Sequence, residues 1–225
     1  YFSLQTIFEF SNFRLASVAK QFTAMCIMML AERGKLTYET TLKDIFADFT
    51  KYGKSIKIRH LLQHTSGLVD FEDLISDTAT VQVHDSDILE MMKQQDSTYF
   101  TPGSKYKYSN SAYNLLSMIV EKISGEKYAK FLKKNIFEPL EMTHTVAFEK
   151  GISTVNNRAF GYTFEGNKFI FKDQSLTSAT LGDGGIYTSV NDLYKWDQAL
   201  YGEKLVSENT LKEAFTNGKL NNGEI

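Results

Sequence analysis

The segment that follows Ser17 constrains this chain more than any other. Phe22, Ala24, Met25, Ile27, Met28, Met29 and Leu30 put apolar side chains almost all round a helical wheel. A helix of that kind is stable only when other elements cover most of its sides. Gly34 stands where a left-handed C′ residue would end it. The fold must therefore wrap this helix.

Most of the wrapping is helical too. The cleanest amphipathic pattern starts near Ser111, where Ala112, Leu115, Leu116, Ile119, Val120 and Ile123 follow i, i+3, i+4 spacing and Gly125 closes the run. Ile88, Leu89, Met91 and Met92 mark a helix begun by Asp85 or Ser86. Tyr128, Phe131, Leu132 and Ile136 mark another before Pro139. Ser189 with Asp192 three residues on reads as a capping box ahead of Leu193, Trp196 and Leu200. A last helix runs from Ser207 through Leu211, Ala214 and Phe215. Strand signal is thin. Thr163–Glu165 and Lys168–Phe171 flank Gly166-Asn167, a two-residue hairpin turn, and the stretch from Phe2 to Phe10 reads as one more strand.

The length of 225 residues and a hydrophobic fraction of 42% suit one globular domain with a full core. Basic and acidic residues, 25 and 27, are spread along the whole chain, which speaks against a nucleic-acid surface. The single cysteine, Cys26, lies inside the apolar helix and excludes an intrachain disulfide or a cysteine-based metal site. The four histidines fall in no metal-binding pattern. The longest apolar run, Ala24 to Ala31, is far shorter than the ~18 residues of a membrane span, so no transmembrane segment is expected. No signal peptide is visible at Tyr1, and the compartment stays open.

Two spacings carry chemistry. In Ser17-Val18-Ala19-Lys20, residues three apart share a helical face, so the lysine amine can stand beside the serine hydroxyl. A serine hydroxyl needs an adjacent base to become a nucleophile. Burial at the start of an apolar helix disfavours a charged ammonium and so favours an amine that can take a proton. Ser104/Lys107 and Ser124/Lys127 share the spacing, but only Ser17 opens a long buried helix. Tyr108-Ser109-Asn110 places a phenol and a carboxamide just before the strongest amphipathic helix. Read singly, Ser17 also fits an ordinary N-cap, Tyr108 a packing aromatic and Asn110 a helix cap. His64, in Leu61-Leu62-Gln63-His64-Thr65-Ser66-Gly67-Leu68, reads as a loop-fixing residue, and Gly182-Asp183-Gly184-Gly185 as a tight backbone turn.

Taken together, FRLASVAKQFTA, LLQHTSGL, TPGSKYKYSNSAYNLLSMIVEKISG, IFEPLEMTHT and LGDGGIYTSVNDLYKW resemble successive signature segments of the serine β-lactamase and penicillin-binding-protein superfamily. The resemblance spans roughly residues 12 to 217 and is strongest to the branch of class C β-lactamases, D-Ala-D-Ala carboxypeptidases and related esterases. It implies an α/β (α+β) fold, mainly the helical lobe with an incomplete antiparallel sheet. It also implies a serine hydrolase acting through an acyl-enzyme on a β-lactam, D-alanyl peptide or ester. Ser17 would be the nucleophile, Lys20 its base, Tyr108 the proton shuttle and Asn110 a substrate-binding residue. The partner implied is a small-molecule or peptidyl acyl substrate, with no cofactor or metal and an extracytoplasmic location.

The family's third motif, Lys-Ser/Thr-Gly or His-x-Gly after the tyrosine motif, has no counterpart here; Lys51-Tyr52-Gly53 comes in the wrong order. The expectation is a single domain over 1–225 that lacks N-terminal strands and the third-motif strand. Glu141 and Ala112 stand where the family commonly has glycine. The alternatives are a penicillin-binding sensor that acylates without turnover and a helical scaffold that has lost catalysis.

Overall fold

The computed structural model describes residues 6–225. Strand β1 (Phe13–Arg14) leads through a 3-10 turn over Ala16–Ala19 into α1 (Lys20–Glu32). Then come α2 (Leu42–Ile45), α3 (Ile58–Leu62), α4 (Asp85–Lys93), α5 (Asn110–Ser124) and α6 (Tyr128–Leu132). The second half carries β2 (Val146–Ala147), the hairpin β3 (Tyr162–Glu165) and β4 (Lys168–Phe171), β5 (Ile186–Thr188), α7 (Val190–Ala199) and α8 (Glu208–Ala214). The fold is mixed α/β: a helical lobe beside a three-stranded antiparallel sheet in the order β1-β5-β2.

The apolar wheel of α1 is buried as its pattern requires; Met25 and Met29 are in the core, and Cys26 is a structural thiol there. Desolvation raises the Cys26 pKa far above its ordinary value. The end of α1 is a Schellman motif: Gly34, at φ 66°, donates to the Ala31 carbonyl and Lys35 donates to Leu30. The packing hub is α5, which touches α1, α2, α3, α4 and α6, so α1 shares the centre of the lobe. Ser109 caps α5 by accepting from the Ala112 N–H at 3.1 Å, and Gly125 closes it at φ 73°.

Three expectations need correction. Of the stretch read as an opening strand, residues 1–5 lie outside the described residues, and residues 6–10 form no strand. The capping box at α7 is half formed. Ser189 accepts from the Asp192 N–H, but the Asp192 carboxylate accepts from the His144 N–H at 2.7 Å and the Thr145 hydroxyl at 2.9 Å. That buried carboxylate ties α7 to the chain entering β2, a stronger use than capping. The helix read up to Pro139 ends its α-helical part at Leu132 and continues as a π-helical turn over Lys133–Phe137. The hairpin turn is as read, with Gly166 and Asn167 both at positive φ and Glu165 paired with Lys168.

The sheet also decides where Ser17 goes. Phe13 pairs with Thr188, Arg14 with Tyr187, and Leu15 donates to the Ile186 carbonyl at 2.8 Å. Just beyond this pairing, Ala16 packs against Gly184 of the turn that precedes β5, which sets where the Ser17 turn begins.

Glu141, at the expected glycine position, is exposed and sits at φ 57°. A left-handed conformation costs a side-chain-bearing residue about 1–2 kcal/mol, offset in part by the greater chain entropy of glycine. Glu141→Gly should therefore raise the unfolding free energy by roughly 0.5–1 kcal/mol, read as a higher urea midpoint at constant slope. A lower midpoint would mean that the glutamate side chain offsets its own strain.

Candidate active site

Four segments far apart in sequence meet at the N-termini of α1 and α5. Ser17 is exposed in the 3-10 turn, and Ala16 before it holds φ 47°. Left-handed backbone at a residue with a Cβ is strain that the surrounding structure has to support. Lys20, one turn on, is only 6% exposed. Its ammonium donates to Ser17 Oγ at 3.3 Å, to Asn110 Oδ1 at 2.8 Å and to the Asp183 carbonyl at 2.9 Å. The Tyr108 hydroxyl donates to Ser17 Oγ at 2.7 Å. All four residues singled out in the sequence therefore converge. The competing Ser-x-x-Lys lysines turn elsewhere, Lys107 to Asp70 and Lys127 to Glu121.

His64 explains why Tyr108 stands where it does. Its carbonyl accepts from the Lys107 N–H at 2.9 Å and its Nδ1 from the Ser109 N–H at 3.1 Å, so the backbone is held on both sides of Tyr108. The imidazole also stacks on the phenol ring at 4.5 Å. Burial, reinforced by the Lys20 charge, pushes the His64 pKa down to about 4, so at neutral pH Nδ1 is free to accept. The loop-fixing role read from the sequence is what the geometry shows.

Asn110 is not a cap. As the first residue of α5 it turns its amide inward, giving Oδ1 to Lys20 and donating from Nδ2 to Glu72 Oε1 at 2.7 Å. The Gly182-Asp183 segment is the tight turn expected, and it also provides Lys20 with an acceptor. A Cβ at Gly182 would stand 2.4 Å from the Tyr113 carbonyl, so only glycine lets the turn approach α5 this closely. Asp85, the first residue of α4, holds the turn from below. Its buried carboxylate accepts from Leu181 N–H at 2.7 Å, Gly182 N–H at 2.9 Å and Ser117 Oγ at 2.9 Å. A groove of about 740 Å³ lined by Met28, Tyr113 and residues 213–220 includes none of Ser17, Lys20 or Tyr108.

With this geometry in place, comparison with known proteins decides the family. A profile described as Beta-lactamase matches residues 9–223. The chain belongs to the β-lactamase family. It is 35% identical over 229 aligned residues to Penicillin-binding protein 4* of Bacillus subtilis, covering 95% of this chain and 50% of that protein. It is 33% identical to the putative penicillin-binding protein PbpX of the same organism, covering 92% of this chain and 51% of the relative. Among solved structures, the penicillin binding protein of Bacillus halodurans superposes with a TM-score of 0.81 at 29% identity, over 93% of this chain and 65% of that one. The chain thus spans about half the length of the curated relatives it matches. Within this β-lactamase-family chain, Glu72, Asp85 and the Asp183 carbonyl were not found from sequence. Asp85 had left a signal there as the possible start of a helix and Asp183 as part of a tight turn, neither as a site group.

Asp85 has a measurable consequence. Complete burial, with the Asp183 charge adding to it, raises its pKa to about 6 despite the two backbone donors. A folded-state value above the unfolded one means that the native state binds the extra proton. The stability this contributes is present below about pH 4 and lost as the pH rises through about 6, on the order of 2–3 kcal/mol. The difference in unfolding free energy between wild type and Asp85→Asn should therefore fall by that amount between pH 4 and pH 7. A flat difference across the range would show that Asp85 ionises as easily in the native state as in the unfolded chain.

Proposed function

We propose that this chain is the catalytic lobe of a serine hydrolase that opens an amide or ester through an acyl-enzyme on Ser17. The observation that carries the reading is the hydrogen-bonded row Tyr108 Oη, Ser17 Oγ, Lys20 Nζ, with the nucleophile exposed and the lysine buried. Ser17 Oγ attacks the carbonyl carbon as its proton passes to Lys20, which takes part in this step as the neutral amine, its lone pair turned to Ser17. The Ser17 N–H, in the first turn of a helix where backbone donors lack intrahelical acceptors, stabilises the oxyanion. Tyr108 protonates the leaving group, its phenolate then takes a proton from the water that attacks the acyl carbon, and Lys20 returns its proton to Ser17 Oγ as the acyl bond breaks. Asn110 binds the acyl side. The substrate class is an acyl donor such as a β-lactam, a D-alanyl peptide or an ester, and the names of the relatives support the penicillin-like end of that range.

Intact-mass analysis after exposure to a fluorescent penicillin and to a p-nitrophenyl ester tests this. One acyl adduct should form, vanish in Ser17→Ala, and form about 10²–10⁴-fold more slowly in Tyr108→Phe. An adduct that survives Ser17→Ala would sink the assignment. Turnover of the adduct separates a hydrolase from a sensor that is only labelled. Part of the proposal is that a second oxyanion donor comes from outside residues 1–225. The whole protein should then acylate about 10²–10³ times faster than this chain, the usual effect of one such donor. Equal rates would place the donor within these residues.

A further inference from the structure

The Asn110 amide reaches the site mouth already engaged. Its oxygen is held by Lys20, and its Nδ2 donates to Glu72 Oε1 at 2.7 Å. Glu72 does not hang there on a loose loop. It follows Phe71, which is fully buried and whose N–H bonds Ser111 Oγ at 2.9 Å, while that hydroxyl donates to the Val69 carbonyl at 2.8 Å. The 3-10 turn Phe71–Leu74 is thereby fastened to the first turn of α5, next to Asn110.

The neighbouring acids are already served. Asp70 pairs with Lys107, and Asp73 accepts from the Tyr99 hydroxyl at 3.1 Å. Among the described residues the Glu72 carboxylate has no ion-pair partner, and its hydrogen bond comes from a neutral amide. A carboxylate has acceptor sites for several donors, so Glu72 keeps most of its capacity and all of its charge at the position where Asn110 meets the acyl group. A free ammonium supplies three donors and the opposite charge, and charge-assisted hydrogen bonds are about twice as strong as neutral ones. A neutral or anionic acyl substituent would instead face an uncompensated negative charge.

We propose that Glu72 is a specificity residue that selects acyl donors carrying a protonated amine on the acyl side of the scissile carbonyl. This rests on the reading of Ser17 as the nucleophile and narrows its substrate class.

The test uses ampicillin and benzylpenicillin, which share the bicyclic nucleus and the phenyl group and differ by one primary amine on the acyl side chain. Second-order rates of Ser17 acylation are measured by intact mass, at a pH where that amine is protonated. Wild type should react with ampicillin about ten-fold faster, and added salt should shrink the ratio as screening weakens the attraction. Glu72→Gln keeps an oxygen for Asn110 and removes the charge, so its ratio should fall to about one; Glu72→Lys should invert it. A wild-type ratio of one, or a preference that survives Glu72→Gln, overturns the inference while leaving Ser17 labelled and the proposed function standing. Failure of both penicillins to label Ser17 overturns the inference, and labelling by the p-nitrophenyl ester then decides whether the proposed function stands. A thermal midpoint for each variant guards against misfolding, and the salt dependence of the wild-type ratio tests the idea without any variant.

Discussion

A lysine ammonium sits at the head of a helix whose other buried side chains are nearly all apolar, and it has to find acceptors without reaching water. Lys20 solves this with three: a hydroxyl one turn back, a carboxamide from α5 and a backbone carbonyl from the turn before β5. None is a carboxylate. Three neutral acceptors orient the nitrogen from different sides. Each acceptor belongs to a different segment, so satisfying one side chain fixes the relative positions of α1, α5 and the sheet. Thr23, one turn further along α1, repeats the device by donating to the Gly182 carbonyl at 2.6 Å and bonding the Tyr128 hydroxyl at 2.5 Å.

Positive-φ residues gather around the same place. Ala16 precedes the nucleophile in left-handed backbone, and His64 holds φ 57° where its ring and carbonyl clamp the Tyr108 loop. Gly67, three residues after His64, is forced by approach: a Cβ there would stand 2.5 Å from the Phe100 carbonyl. The loop before α5 is thus held by backbone contacts from the 64–67 segment, with the Gly103 N–H on Thr65 and the Tyr99 N–H on Gly67. Such strain is tolerated where packing over-determines it. The result is an exposed serine and a half-exposed tyrosine resting on a rigid, buried base.

What could be read from the sequence follows from the range of each interaction. Ser17 and Lys20 lie within one helical turn, Tyr108 and Asn110 within one loop, and Gly34, Gly125 and Gly166-Asn167 act at their own positions. Local spacing records all of these. The Asp183 acceptor is a backbone carbonyl, which carries no residue signature at all. Glu72 stands in a turn too short to show periodicity, as do α2 and α3, and β1, β2 and β5 are too short to show alternation. Asp192 looked like half of a local capping box because the sequence cannot show that His144 and Thr145 compete for its carboxylate. Order among the motifs, rather than any single motif, made the site legible.

Asp85 shows why the remainder could not be read. From its sequence position it is an unremarkable acid in the first turn of a helix, where the dipole favours negative charge. Its partners lie 96 and 97 residues away, in the backbone of the turn that supplies the Lys20 acceptor. Burying a carboxylate completely is unfavourable, and an apolar residue of similar size would fill the space at lower cost. An apolar residue would, however, leave two buried backbone donors unpaired and release the Leu181–Gly184 turn from α4 and α5. The carboxylate therefore lowers global stability at neutral pH while fixing the position of one carbonyl, and that carbonyl faces the amine on which the proposed chemistry depends.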